Sequence, residues 1–239
     1  MNQKLIVIPI VILIVIVGAY IGITPSENTE ISKIEEKIEF MNSPELIQTN
    51  VKSLFKVMAY DNDFQMIDGE KIWRNVYYEL DESKLDIYQD LKNNKNSAVV
   101  FPIFTAAAYS EPGFYTFYRG ECDDDCLTVK LDDEYNPLFT SSANGLQVLN
   151  LLDYDILTDI SIHQNPEILT KYEKIILLHN EYVTSVEFDA ILSHPNVIYL
   201  YPNALYAEVN FDEELWEISL VRGHNYPEIT IRNGFDWKF

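Results

Sequence analysis

Two short runs of unbroken apolar residues constrain this chain most. Ala98-Val99-Val100-Phe101-Pro102-Ile103-Phe104 and Ile175-Ile176-Leu177-Leu178 show neither the alternation of a half-exposed strand nor the one-sided stripe of a surface helix. Strands of that kind are buried on both faces, which happens where helices cover a parallel sheet on either side. The surrounding residues fit. Leu127–Leu131 alternates like a strand, Asn144–Leu152 reads as a helix, Asp155–Ile160 as a strand and Ile168–Tyr172 as a short helix. Thr184–Ser193 reads as a helix with Thr184 as cap and Glu187 completing a capping box. Asn196–Tyr201 is the next strand, and Asn203–Glu208 a loop or helix. Phe114–Arg119 is aromatic and expected to be extended. Alternation from about residue 98 to residue 210 predicts an α/β domain, a three-layer sandwich with a mainly parallel sheet.

The start of the chain is of another kind. From Leu5 to Ile23 no residue is charged and most are Ile, Val or Leu. At about 1.5 Å of rise per residue such a helix matches a hydrocarbon core roughly 30 Å thick. Lys4 precedes it, and Glu27 and Glu30 follow, so the expected topology is a signal anchor over 1–23 with the N-terminus in the cytoplasm and the rest outside. Val17-Gly18-Ala19 leaves a cleavable signal as the alternative. Residues 24–60 read as a linker with amphipathic helices. One carries Ile31, Ile34, Ile38 and Met41; another starts at Ser43-Pro44-Glu45 and faces inward with Leu46, Ile47, Val51, Leu54, Phe55 and Met58. Residues 61–239 are then the exported domain.

Charge narrows the partners. The 38 acidic residues outnumber the 17 basic ones, for a formal net charge of −21, which opposes binding to nucleic acid or anionic headgroups. The membrane is met through the N-terminal helix alone. The two cysteines stand in Cys122-Asp123-Asp124-Asp125-Cys126. An oxidising exterior favours a small disulfide loop there; a site of thiolates and carboxylates is the alternative, and suits no common metal ion well.

Motifs of the familiar chemistries are missing. There is no GxGxxG, GxxxxGK[ST], GxSxG or HExxH, and His179-Asn180-Glu181 lacks the PCxxC that would make H-x-E a zinc deaminase signature. What remains is a constellation. In a parallel sheet, ligands sit beyond the carboxyl ends of the strands. Two neighbouring ends carry His179, Glu181 and Tyr182, and Asn203 and Tyr206; a second polar cluster, Arg222-Gly223-His224, follows. A histidine beside a carboxylate can move protons or bind a metal. The bland alternative is that these groups satisfy backbone at strand ends and that the tyrosines pack the rim. His179, Glu181, Asn203, Arg222 and His224 are the candidate ligand-binding residues; no catalytic residue is assigned.

The segment Tyr172-Glu173-Lys174-Ile175-Ile176-Leu177-Leu178-His179-Asn180-Glu181-Tyr182-Val183-Thr184 resembles the strand-turn-helix of the class I glutamine amidotransferase-like fold, in the branch of the N,N-dimethylformamidase large subunit. Ile198-Tyr199-Leu200-Tyr201-Pro202-Asn203-Ala204-Leu205-Tyr206 is similar to that branch's Leu-Gly-Gly-Asn-x-x-Tyr segment, with Tyr201-Pro202 in place of the two glycines. The resemblance covers about residues 98–210. Asn203 stands where amidotransferases carry their nucleophilic cysteine, which implies a domain without glutaminase chemistry, a binding or structural module. In that branch a single iron is held by two tyrosines and a glutamate. The resemblance then implies Tyr182 and Tyr206 as metal ligands, with iron or zinc as the ion and a metal-dependent hydrolase of a small amide-type substrate as the alternative function. No matching glutamate stands in these segments. The whole chain also resembles membrane-anchored proteins of ammonia-oxidising archaea, which implies export.

Overall fold

A computed structural model of the chain describes residues 44–92, 96–131 and 142–236. The expected membrane span and the Ile31–Met41 helix lie outside the described residues. Among the described residues, no helix is long and apolar enough to cross a membrane. The chain divides into two compact units, 1–46 and 47–239.

The elements begin with five short strands, β1 (Leu46–Gln48), β2 (Lys56–Tyr60), β3 (Phe64–Ile67), β4 (Glu70–Trp73) and β5 (Tyr77–Glu79), then α1 (Leu85–Leu91). Next come β6 (Ser97–Phe101), α2 (Ile103–Ala108), α3 (Phe114–Tyr118), β7 (Thr128–Lys130), α4 (Ala143–Leu151), β8 (Asp155–Thr158) and α5 (Asp159–Gln164). The chain continues through β9 (Lys174–Leu177), β10 (Tyr182–Val183), α6 (Ser185–Ser193), β11 (Val197–Tyr199), β12 (Ala207–Asp212) and β13 (Glu217–Arg222).

The sheet expected from the apolar runs is present, although the first run is strand only to Phe101 and its Ile103 and Phe104 begin α2. Its order is β11-β9-β6-β8, with every pair parallel. Successive residues of the two central strands enter different cores. Ala98, Val100, Ile175 and Leu177 face a core shared with Ile162, Phe188 and Ile191. Val99, Phe101, Ile176 and Leu178 face one shared with Phe104, Phe114 and Leu146. Neither face of these strands meets water, so no polar alternation could be read in them. Each buried aliphatic side chain here contributes about 1.5–3 kcal/mol relative to exposure.

A second four-stranded sheet, order β10-β12-β13-β7, is mixed. Its β10–β12 pair is parallel, and β12–β13 and β13–β7 are antiparallel. The reading of Asn203–Glu208 as loop or helix holds for the turn through Tyr206 and is corrected at its end, because β12 starts at Ala207. Ala207, Val209 and Phe211 are buried and alternate with more exposed Glu208, Asn210 and Asp212.

Two other expectations change. Residues 44–58 hold β1 and β2 instead of a helix. Phe55, Val57 and Ala59 are buried with a period of two, and of the apolar set taken for a helical face only Phe55 is among them, while Leu46 and Val51 are exposed. Residues 47–60 therefore belong to the folded unit: Tyr88 of α1 lies under them, its hydroxyl donating to Leu54 O at 2.7 Å. Phe114–Tyr118 is helical, not extended. Gly113 starts the turn because a Cβ there would lie 2.4 Å from Ser110 O, and Gly113 N–H donates to Thr116 Oγ1 at 3.0 Å. Burial of Phe114 overrides its strand preference. The disulfide is formed between Cys122 and Cys126, with Cα atoms 6.1 Å apart.

Candidate functional site

β9 and β11 are neighbours in register, with Tyr199 opposite Leu177, so their carboxyl ends lie side by side. The segments beyond them are tied together. Leu205 N–H donates to Asn180 O at 2.7 Å, and the N–H groups of Tyr206 and Ala207 both donate to Glu181 O at 2.9 Å. α2 closes the other side: Thr105 Oγ1 accepts from Glu181 N–H at 2.9 Å and Tyr182 N–H at 3.1 Å. Three elements thus fix the main chain at Glu181, and the side chain points where they direct it.

That side chain is fully buried. His224 Nε2 lies 2.6 Å from its Oε1, and His179 Nε2 3.0 Å from its Oε2. Tyr109 donates its hydroxyl to Oε2 at 2.8 Å, and Tyr115 donates to Tyr109 at 2.8 Å. The Tyr115 hydroxyl is also 3.5 Å from Oε1. Burial pushes the Glu181 carboxyl up, but hydrogen bonds from His179, His224 and Tyr109 outweigh it and hold the group down at about 2. An ionised carboxylate only accepts, so each imidazole presents Nε2–H to it. Burial, added to by the Glu181 charge, raises the phenols of Tyr109 and Tyr182, which stay protonated.

His224 reaches Glu181 from a tight turn. Gly223, His224 and Asn225 have φ values of 129°, 51° and 66°, and Gly223 N–H donates to Tyr226 O. A Cβ on Gly223 would lie 2.9 Å from Ala207 Cβ, so only glycine lets β13 end against β12 here. The imidazole then sits among rings, with centroids 4.6 Å from Tyr206, 5.2 Å from Tyr118, 5.6 Å from Tyr182 and 6.5 Å from Tyr115. His179 stacks on Tyr201 at 5.0 Å.

Beneath this cluster lies a second, sealed one. Asp159, Asn180 and Glu187 are all fully buried. Asp159 accepts from Phe104 N–H at 2.8 Å and from Asn180 Nδ2 at 2.7 Å. Thr184 caps α6 as expected, accepting from Glu187 N–H at 3.2 Å. The Glu187 side chain does not complete a capping box; it turns inward to Asp159. Burial, chiefly, pushes Asp159 up to about 6, and burial and then the Asp159 charge raise Glu187 well above the usual carboxylate range. Two adjacent carboxyls out of water are relieved when one keeps its proton and donates it to the other.

Of the residues expected from sequence, His179, Glu181 and His224 come together, with the Tyr182 and Tyr206 rings beside His224. The Tyr182 hydroxyl donates to Tyr118 at 3.3 Å. Asn203 is exposed in the turn before β12. Arg222 is turned to Asp236, with Nη1 2.9 Å from Oδ2, and no contact joins it to Glu181. Sequence reasoning passed over Thr105, Tyr109, Tyr115 and Asp159. The first two follow the apolar run of β6 four residues apart, on one face of a helix at the carboxyl end of a central strand, which is the available signal.

No protein-family model matches the chain, and no curated protein matches it either.

Among the described residues, no group of three or more His, Cys, Asp or Glu side chains is arranged to hold a metal ion. Hard oxygens do gather, however. Glu181 Oε2, Tyr109 and Tyr115 lie within hydrogen-bond distance in sequence, and would suit a hard trivalent ion such as ferric iron once both phenols gave up the protons that now join them.

Proposed function

We propose that this chain is an exported, membrane-tethered domain of glutamine amidotransferase-like, three-layer build that binds a small polar ligand over Glu181. One observation carries the reading: an ionised carboxylate is buried at the carboxyl end of a central parallel strand, held by two imidazoles that remain partly open to solvent, with side chains 13% and 22% exposed. Water-free charge costs several kcal/mol unless paired, and a strand end is where such folds place ligands. Glu181 acts as a positioning residue: it fixes both histidines with Nε2–H inward at the strand end. The protein surrounds the ligand with phenol hydroxyls and imidazoles but offers no nucleophilic thiol, since both cysteines are joined. The Leu5–Ile23 segment and the Cys122–Cys126 bond support the exported location.

The test is a thermal-shift screen of the full chain against small amides, amines and carboxylates. A ligand that raises Tm in the native protein and not in Glu181→Gln supports the reading. A shift of equal size in both proteins contradicts it.

The oxygen cluster favours a second reading, a metal-dependent hydrolase of an amide-type substrate. Glu181, Tyr109 and Tyr115 would hold the ion in place of the Tyr182 and Tyr206 pair that the resemblance implies. A bound ferric ion supplies Lewis-acid activation of water or a carbonyl. The chain's own part is to orient the substrate and to pass protons at His179 and His224. Stoichiometric iron in the full chain, lost in Tyr109→Phe/Tyr115→Phe and kept in Tyr206→Phe, supports this reading; iron unaffected by the double change contradicts it.

A further inference from the structure

The His224 ring has the surroundings of a bound organic cation. Three tyrosine rings, Tyr206, Tyr118 and Tyr182, lie with centroids within 6 Å of its own, the distance at which a cation gains from the negative faces of aromatic rings. The Glu181 carboxylate closes the fourth side at 2.6 Å. An aromatic wall with one buried carboxylate is how proteins hold alkylammonium groups, because the rings replace water around the methyls while the carboxylate neutralises the charge. The chain's net charge of −21 concentrates small cations near it and repels small anions.

The occupant is also placed to leave. His224 and Asn225 both hold left-handed backbone, which side chains adopt at a cost, and the turn is fastened by main-chain bonds, His224 N–H to Arg232 O and Asn225 N–H to Ile231 O. The ring faces solvent in part, so it can swing outward without passing through the core. If it does, Glu181 is not stranded, since His179 and Tyr109 still donate to it.

We propose that the Tyr118–Tyr182–Tyr206 cage with Glu181 is a binding site for a small alkylammonium ligand, and that His224 is its built-in stand-in, displaced when the ligand enters. The inference rests on the ligand-binding reading above and names the class of ligand.

The test uses the full chain in an uncharged maltoside detergent and titrates tetramethylammonium, with the neutral isostere tert-butanol as control, followed by saturation-transfer NMR of the probe. Expected are saturable binding of tetramethylammonium alone, at least tenfold tighter binding in His224→Gly, and at least tenfold weaker binding in Tyr118→Leu. A cooperative melting transition in each variant shows that it is folded. If His224→Gly does not fold, the native protein still decides through its preference for the cation over the isostere. Equal binding of the two probes, or no saturable binding of tetramethylammonium to native protein and folded His224→Gly alike, overturns the proposal. A native protein that responds to an amide or a carboxylate in a Glu181-dependent way, and to no ammonium, overturns the cation while leaving the ligand site standing.

Discussion

At the scale of single residues, Thr105 has more influence than its size suggests. Its hydroxyl oxygen accepts both N–H groups of the Glu181–Tyr182 segment inside the protein. Removing it leaves two buried donors unpaired, at about 1–3 kcal/mol for such a loss. Thr105→Ala is expected to lower the unfolding free energy by that amount, read as a lower urea midpoint at unchanged m, and to weaken any Glu181-dependent ligand, while Thr105→Ser keeps both. Equal stability of Thr105→Ala and the native chain would mean that the strand end is held by other bonds. Glu181 itself was legible in the sequence because it follows an apolar run and stands two residues after a histidine. Its partners Tyr109 and Tyr115 were not, because they come from a helix and a turn more than sixty residues earlier, a pairing that only the crossover of β6 and β9 creates.

At the scale of elements, α3 depends on the residue before it. Gly113→Ala forces a Cβ onto Ser110 O, and overpacking of this sort costs about 1–3 kcal/mol. The expected result is a less stable protein in which Tyr115 no longer reaches Tyr109, seen as lost protection of the α3 amides in hydrogen exchange. The starts of α5 and α6 share the Asp159–Glu187 pair, and there pH enters. Both carboxyls have folded-state values above their usual ones, so the pair favours folding while it holds its protons and loses that contribution as pH rises through about 6. His163 Nδ1, 3.0 Å from Thr184 Oγ1 at the same cap, is the neighbouring titratable group. Denaturant stability measured between about pH 4 and 8 is expected to fall across that window in native protein and to stay flatter in Glu187→Gln, which cannot ionise. An equal slope in both would remove the pair from the account. The sequence correctly marked Thr184 and Glu187 as a helix start, yet a capping box and an inward carboxyl have the same spelling; burial decided between them. Period also decided the misread segments. Phe55, Val57 and Ala59 form a two-residue repeat that the helical set, which held only Phe55 of the three, passed over, and the apolar run Ala98–Phe104 read as one strand ends at Phe101, its Ile103 and Phe104 opening α2.

At the scale of the whole molecule, charge and covalent closure set the behaviour. A net charge of −21 repels itself, and salt screens that repulsion over about 10 Å at 0.1 M, so Tm is expected to rise with added sodium chloride. The Cys122–Cys126 bond closes a very short loop, and its reduction is expected to lower stability by about 2 kcal/mol or less, without unfolding the domain. The alternation of strands and helices revealed the parallel sheet, while of the mixed sheet only β7 was read as a strand, and β12 and β13 escaped because they follow one another through a turn with no helix between them. That second sheet is what brings His224 to Glu181. The most direct measurement is therefore long-range 15N–1H NMR of the histidine rings in native protein and Glu181→Gln. The structure requires Nε2–H on both His179 and His224, altered in both rings by the substitution, while His194, bonded to Tyr172 O and Asn196, stays unchanged as the internal reference. Protons on Nδ1 instead, or two rings indifferent to Glu181→Gln, would contradict it.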